Sequence, residues 1–183
     1  MLLFLTVPLD DQNRRLLEET YCQYRDKMYA VAFSVTLNKA DAEDVVQQLF
    51  LRLAQKYMPT VQRLSADGTL IYYLLTATRN TALNYVKKAS QRREIPIDTT
   101  LDNVLLTDTA FKNELSAADA HVLSEKIRDL NTIYREVLYQ RFVLDLSVSE
   151  IAEVNHLPTT TVKKRLLRAK QLLRKKYEER RNE

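Results

Sequence analysis

The sequence predicts an all-α protein: two small helical domains joined by a linker. Three observations carry that prediction. Of 183 residues only one is Gly and four are Pro, and Trp is absent. Good helix formers such as Ala, Leu, Lys, Arg, Glu and Gln abound instead. Apolar residues recur at helical spacing, except over a polar stretch near residues 95–116 that keeps no period.

The first helix is expected over residues 11–37, where Leu17, Tyr21, Tyr24, Met28, Val31 and Val35 follow its period. Asn38 and Asp41 mark the next N-terminus, with Asp41, Glu43 and Asp44 well placed against the helix dipole. That helix runs on Val45, Leu49 and Leu53 to about Tyr57, and Pro59 is expected to end it. Residues 58–69 then read as a connection holding Gly68. A third helix spans roughly Leu70 to Arg93, apolar at first and basic in its last turns, and Pro96 stops it. Ile95 to Ser116 is the linker, rich in Asp, Thr and Asn. Further helices follow at Ala117–Leu130 and Tyr134–Val143.

The most specific signal lies in LSVSEIAEVNHLPTTTVKKRLLRAKQLLRKK, residues 146–176. Ser147 and Glu150 have capping-box spacing, so a helix opens near Val148 with Ile151, Ala152 and Val154 on its apolar side. Pro158 disfavours an α conformation at Leu157 and suits the start of a second helix near Thr159. On that helix Val162, Leu166, Ala169 and Leu173 form the packing face. Lys163, Lys164, Leu167, Arg168 and Lys170 lie mostly on the other side. This is the pattern of a helix-turn-helix whose second helix fits the major groove of DNA.

Charge agrees. The net +4 is unevenly placed, with basic runs at Lys87–Arg93 and after Thr161, as suits a polyanion. Other classes are not supported. Cys22 is alone, so there is no disulfide framework. On an apolar helix it reads as a core residue. MLLFLTVPL lacks the basic start and the length of a signal peptide, and no run is long enough for a membrane span. A cytoplasmic protein without membrane insertion is expected. His121 and His156 are isolated, and no metal-ligand or catalytic constellation is visible. The chain is therefore not expected to be an enzyme or to need a cofactor or metal.

Two segments resemble a known family. DAEDVVQQLFLRL (residues 41–53) and LLTATRNTALNYVKK (residues 74–88) are similar to the region-two helices of bacterial sigma factors of the extracytoplasmic-function group. REVLYQRFVLDLSVSEIAEVNHLPTTTVKKRLLRAKQLL (residues 135–173) is similar to their region four. The resemblance implies region two over residues 1–94, a linker over 95–116 and region four over 117–183. It also implies that the protein binds core RNA polymerase and directs it to promoter DNA.

Carried onto this chain, the resemblance places core-polymerase binding on Asp44, Gln47, Gln48, Phe50 and Arg52. The −10 element falls to the 62–73 loop and the third-helix face, with Tyr72, Tyr73, Arg79, Asn80, Lys87 and Lys88. The −35 element falls to Thr160, Thr161, Lys163, Lys164, Leu167 and Arg168. It implies an anti-sigma partner as well. The chain departs from the family at Tyr73, where Trp is usual, and at Thr160, where Gly is common in the turn. Its 58–69 connection is slightly long. The alternative is a stand-alone helix-turn-helix regulator that never touches polymerase.

Overall fold

The computed structural model describes residues 3–91 and 127–181, which fall in two separate compact units. The first unit is organised by two caps. Asp10 accepts from the Asn13 N–H at 2.8 Å and opens α1, Asp11–Thr36. That bond, with a second to the Asn13 side chain, holds the Asp10 carboxyl below its ordinary pKa. Leu37 closes α1 in the left-handed region, with φ 56°. Asn38 follows directly as N-cap of α2, Lys39–Arg52, accepting from the Asp41 N–H at 3.0 Å. Two residues thus join the helices into a hairpin.

Helix α2 does not give way to an irregular connection at Pro59. It passes into a π-helical turn, Leu53–Tyr57, and then into α3, Met58–Ala66. Pro59 lies in the first turn of α3, where its missing N–H leaves no bond unmade. The 58–69 connection expected from sequence is therefore mostly helix. Gly68, at φ 69°, marks the real turn. Met58 and Val61 anchor α3 in the core, and Gln62 donates to Asn13 at 2.7 Å. Helix α4, Leu70–Gln91, then packs on α1 and α2.

The core of this unit is formed by Met28, Val31 and Ala32 of α1, Val45 and Leu49 of α2, and Leu74, Leu75 and Ala82 of α4. Phe50 belongs to it as well. Its ring lies 5.0 Å from that of Tyr21 and 5.3 Å from that of Phe4. Phe4 sits in a short 3-10 turn, Leu3–Thr6, and is itself buried in this core. Buried Thr20, Ser34 and Thr78 satisfy their hydroxyls on backbone carbonyls about one turn back. Cys22, expected in the core, is exposed on α1 instead.

The Tyr85 hydroxyl donates to Asp41 at 2.8 Å and ties α4 to the first turn of α2. A phenol that bonds a carboxylate resists ionising beside it, and Tyr85 is pushed up to about 12. A pKa raised by folding stabilises the fold fully below the ordinary value of 10.0, and that contribution is lost as pH rises toward 12. Tyr85→Phe is expected to delete one late-titrating tyrosine from the alkaline absorbance titration. A curve unchanged from wild type would show that the bond is not kept in solution.

In the second unit, Ile127 and Arg128 end a helix. The rest of the helix expected over residues 117–130, and the linker over 95–116, lie outside the described residues. Asn131 caps α5, Thr132–Phe142, by accepting from the Ile133 N–H at 3.1 Å. Arg135 is only 4% exposed. Its guanidinium donates to the carbonyls of Arg128 at 3.0 Å and Leu130 at 2.9 Å, and to Thr132 Oγ1 at 3.2 Å. It therefore closes the carbonyl end of the preceding helix, and burial lowers its pKa. Helices α6, Val148–Asn155, and α7, Thr159–Arg181, complete the unit. A buried amide pair links α5 to α6. Asn155 donates to Gln140 Oε1 at 2.5 Å and to the Ile151 carbonyl at 2.6 Å. Among the described residues no helix is long and apolar enough to cross a membrane.

Candidate nucleic-acid and partner interfaces

The turn between α6 and α7 aims the basic helix. Ser147 Oγ accepts from the Glu150 N–H at 3.2 Å, and the Glu150 carboxylate accepts from the Ser147 N–H at 2.7 Å. This complete capping box fixes where α6 starts. At its other end His156 takes the left-handed conformation, φ 53°. Its N–H reaches the Glu153 carbonyl at 3.1 Å and the Leu157 N–H reaches Ala152 at 2.9 Å, the bonding of a Schellman motif. The Pro158 carbonyl then accepts from Thr161 at 2.9 Å and starts α7. The residue that needs left-handed freedom is thus His156. Thr160, singled out at the family's Gly position, is already helical.

Helix α7 is two-faced as expected. Val162, Leu166, Ala169 and Leu173 are buried. Thr160, Lys163, Lys164, Leu167 and Arg168 are exposed, and Thr161 is half-buried. Leu167 is 61% exposed, the most open of the large apolar side chains among the described residues. Lys170 is different, because its ammonium lies 5.1 Å over the Phe142 ring. A cation on that ring is drawn toward α5 and away from the open face. Sequence spacing alone did not separate it from its basic neighbours.

On α2, Asp44, Gln48 and Arg52 are exposed at successive i, i+4 positions, with Gln47 half-buried beside them. They form a polar ridge with both signs of charge and amides between. Phe50 does not join it. It is fully buried in the aromatic cluster with Phe4 and Tyr21. Its assignment to the partner surface is therefore corrected: the ring supports the ridge from beneath. Gln47 also borders a shallow groove with Tyr21, Arg25, Tyr29, Glu43 and Val46. Arg25 there faces Glu43 at 3.7 Å and Asp26 at 3.2 Å. These α1 residues escaped the sequence reading because only packing brings α1 beside α2.

On α4, Tyr73, Asn80 and Lys87 are seven residues apart and line up along the helix. Tyr72 and Arg79 run beside them. Asn80, Lys87 and Lys88 are exposed, whereas Tyr72, Tyr73 and Arg79 are half-buried. The line offers an aromatic ring, an amide and a cation in succession. Burial is the main cause that raises the Tyr73 phenol, with nearby Tyr57 adding to it and the Arg52 charge opposing it.

Comparison with known proteins finds two family regions in the chain. Residues 20–92 match the model of Sigma-70 region 2, and residues 121–173 match that of Sigma-70, region 4. The chain is 28% identical over 162 residues to the RNA polymerase sigma factor SigV of Bacillus subtilis, covering 88% of this chain and 91% of that protein. It is 27% identical over 164 residues to the ECF RNA polymerase sigma factor SigW of the same species, covering 83% of each. Against the ECF RNA polymerase sigma factor BldN of Streptomyces coelicolor it is 28% identical over 141 residues, covering 73% of this chain and 50% of that protein. With both sigma-70 regions present in order, the chain belongs to the RNA polymerase sigma factors of the extracytoplasmic-function type.

Proposed function

We propose that this sigma factor divides its work among three surfaces. The ridge of Asp44, Gln47, Gln48 and Arg52 on α2 binds core polymerase. The α4 line of Tyr73, Asn80 and Lys87, with Tyr72, Arg79 and Lys88 beside it, reads the −10 element. The α7 face of Lys163, Lys164, Leu167 and Arg168, entered through Thr160 and Thr161, reads the −35 element. The observation that carries this reading is the joint presence in one chain of a capped, basic helix-turn-helix and a polar α2 ridge on a separate bundle.

The chemistry of each surface supports its role. Lys and Arg donate to guanine O6 and N7, and Leu meets a thymine methyl. An amide such as Asn80 gives a base edge both a donor and an acceptor. The protein performs no reaction itself. Its place of work is the cytoplasm, where polymerase and promoter DNA are. An anti-sigma protein is the partner we assign to these surfaces when polymerase is absent, and the exposed Leu167 gives it an apolar contact.

Run-off transcription with core polymerase on fragments of the source genome tests the whole reading. Defined starts are expected only when the protein is added. Asp44→Ala with Gln47→Ala is expected to abolish those starts and core binding while sparing binding to a duplex −35 fragment. Core binding at wild-type strength would take the ridge out of the polymerase interface.

A further inference from the structure

Two amides lie inside the second unit and take no part in the roles above. Gln140 of α5 is 1% exposed and Asn155 of α6 is 6% exposed, so neither is placed to touch DNA. Their pairing is reciprocal. Asn155 Nδ2 donates to Gln140 Oε1 and to the Ile151 carbonyl, while Gln140 Nε2 donates to Asn155 Oδ1 at 3.4 Å. Asn155 is the last residue of α6, directly before the left-handed His156 that turns the chain toward α7. Gln140 holds the other end of α6 as well. Its backbone carbonyl accepts from the Leu146 N–H at 3.0 Å, and Leu146 directly precedes the N-cap Ser147. One residue of α5 therefore grips α6 at both of its turns.

A paired amide adds little net stability, and replacing both partners by apolar groups of like shape is close to neutral. What a satisfied buried pair adds is one defined arrangement. That matters here because apolar packing is non-directional, and α6 touches α5 less than it touches α7. Helix α7 packs on α5 too, so fixing α6 on α5 also fixes α6 relative to α7. In a helix-turn-helix the first helix crosses the DNA backbone while the second enters the groove. The angle between them decides which bases Lys164 and Arg168 meet. We infer that Gln140 and Asn155 are positioning residues for −35 recognition, their amide pair setting the angle at which α7 meets DNA. The inference rests on α7 reading the −35 element, and the test separates the two.

The full chain is titrated with a duplex carrying the −35 element of a promoter found by run-off, and with a scrambled duplex of equal length at the same salt. A thermal melt accompanies each variant. The first is Gln140→Met with Asn155→Leu. Leu has the branching of Asn, and Met spans Gln with one atom fewer, which leaves room for apolar atoms that stand farther apart than hydrogen-bonded ones. It is expected to melt no earlier than wild type and to lose at least about fivefold for the −35 duplex, the lower bound for one base contact. The scrambled duplex, held through its phosphates, binds as before. Gln140→Asn with Asn155→Gln, which exchanges the two amides, restores −35 affinity. An earlier melt of the Met–Leu variant, or an equal loss for both duplexes, would show that the pair only holds the unit together and would overturn the proposal. An exchanged pair that melts as wild type yet stays defective overturns it as well. A Met–Leu variant that binds as wild type, while Lys164→Ala with Arg168→Ala is defective, overturns the positioning role alone. If both bind as wild type, the −35 reading of α7 falls with it.

Discussion

Replacing Lys164 and Arg168 together by Ala is expected to weaken binding to a duplex −35 fragment by at least about thirtyfold. Each good contact to a base edge discriminates by about 1–3 kcal/mol, so two contacts sum to about 2–6 kcal/mol. Both side chains are exposed on the outer face of α7, and Ala is the best helix former. The helix should therefore persist and the melting temperature stay near wild type. Core polymerase should still assemble, because the α2 ridge lies in the other unit. Lys170→Ala provides the contrast. Its ammonium sits over Phe142, so its loss should change −35 affinity little although the charge removed is the same. Fluorescence anisotropy with a labelled duplex measures all three. A double variant that binds as wild type would take α7 out of promoter reading.

That contrast shows what sequence can and cannot locate here. Caps were legible because they are local: Asn38 bonds Asp41, and Ser147 bonds Glu150, each three residues apart. The buried stripe of α7 was legible for the same reason, since period alone selects Val162, Leu166, Ala169 and Leu173. Pro59 misled because proline stops a helix from within yet suits its first turn. The sequence does not say which turn it stands in, and the following Gly68 proved the better stop signal. Phe50 was carried to the surface by resemblance, although its spacing from Val46, Leu49 and Leu53 already placed it on the apolar stripe. Here the local period outweighed the family pattern. Three features were out of reach because they join segments distant in sequence. Phe4 meets Phe50, Gln140 pairs with Asn155, and Tyr57 and Arg52 come near Tyr73. Periodicity carries no information about such pairs, and each of them bears on how a candidate surface is held.

Arg135→Ala is expected to unfold the helix-turn-helix unit at temperatures where the first unit is intact. The guanidinium is 4% exposed and supplies the carbonyls of Arg128 and Leu130 with their donor. Removing a partner from a buried acceptor costs about 1–3 kcal/mol, so two such acceptors imply a loss of roughly 2–6 kcal/mol. Glu136, itself 1% exposed, also loses the nearby positive charge. A unit of this size has little stability in reserve. Lysine at 135 is expected to recover only part of the loss, because one ammonium on a flexible stem cannot reproduce the planar fork that spans three acceptors. Helical signal against temperature should then show an early transition in the Ala variant and the first unit melting as in wild type. A melt superimposable on wild type would mean that this cap contributes nothing. The functional defect would match that of the Lys164 and Arg168 variant, with −35 binding lost and core assembly kept. Only the melt tells them apart, and so separates a residue that touches DNA from one that holds the reading helix in place.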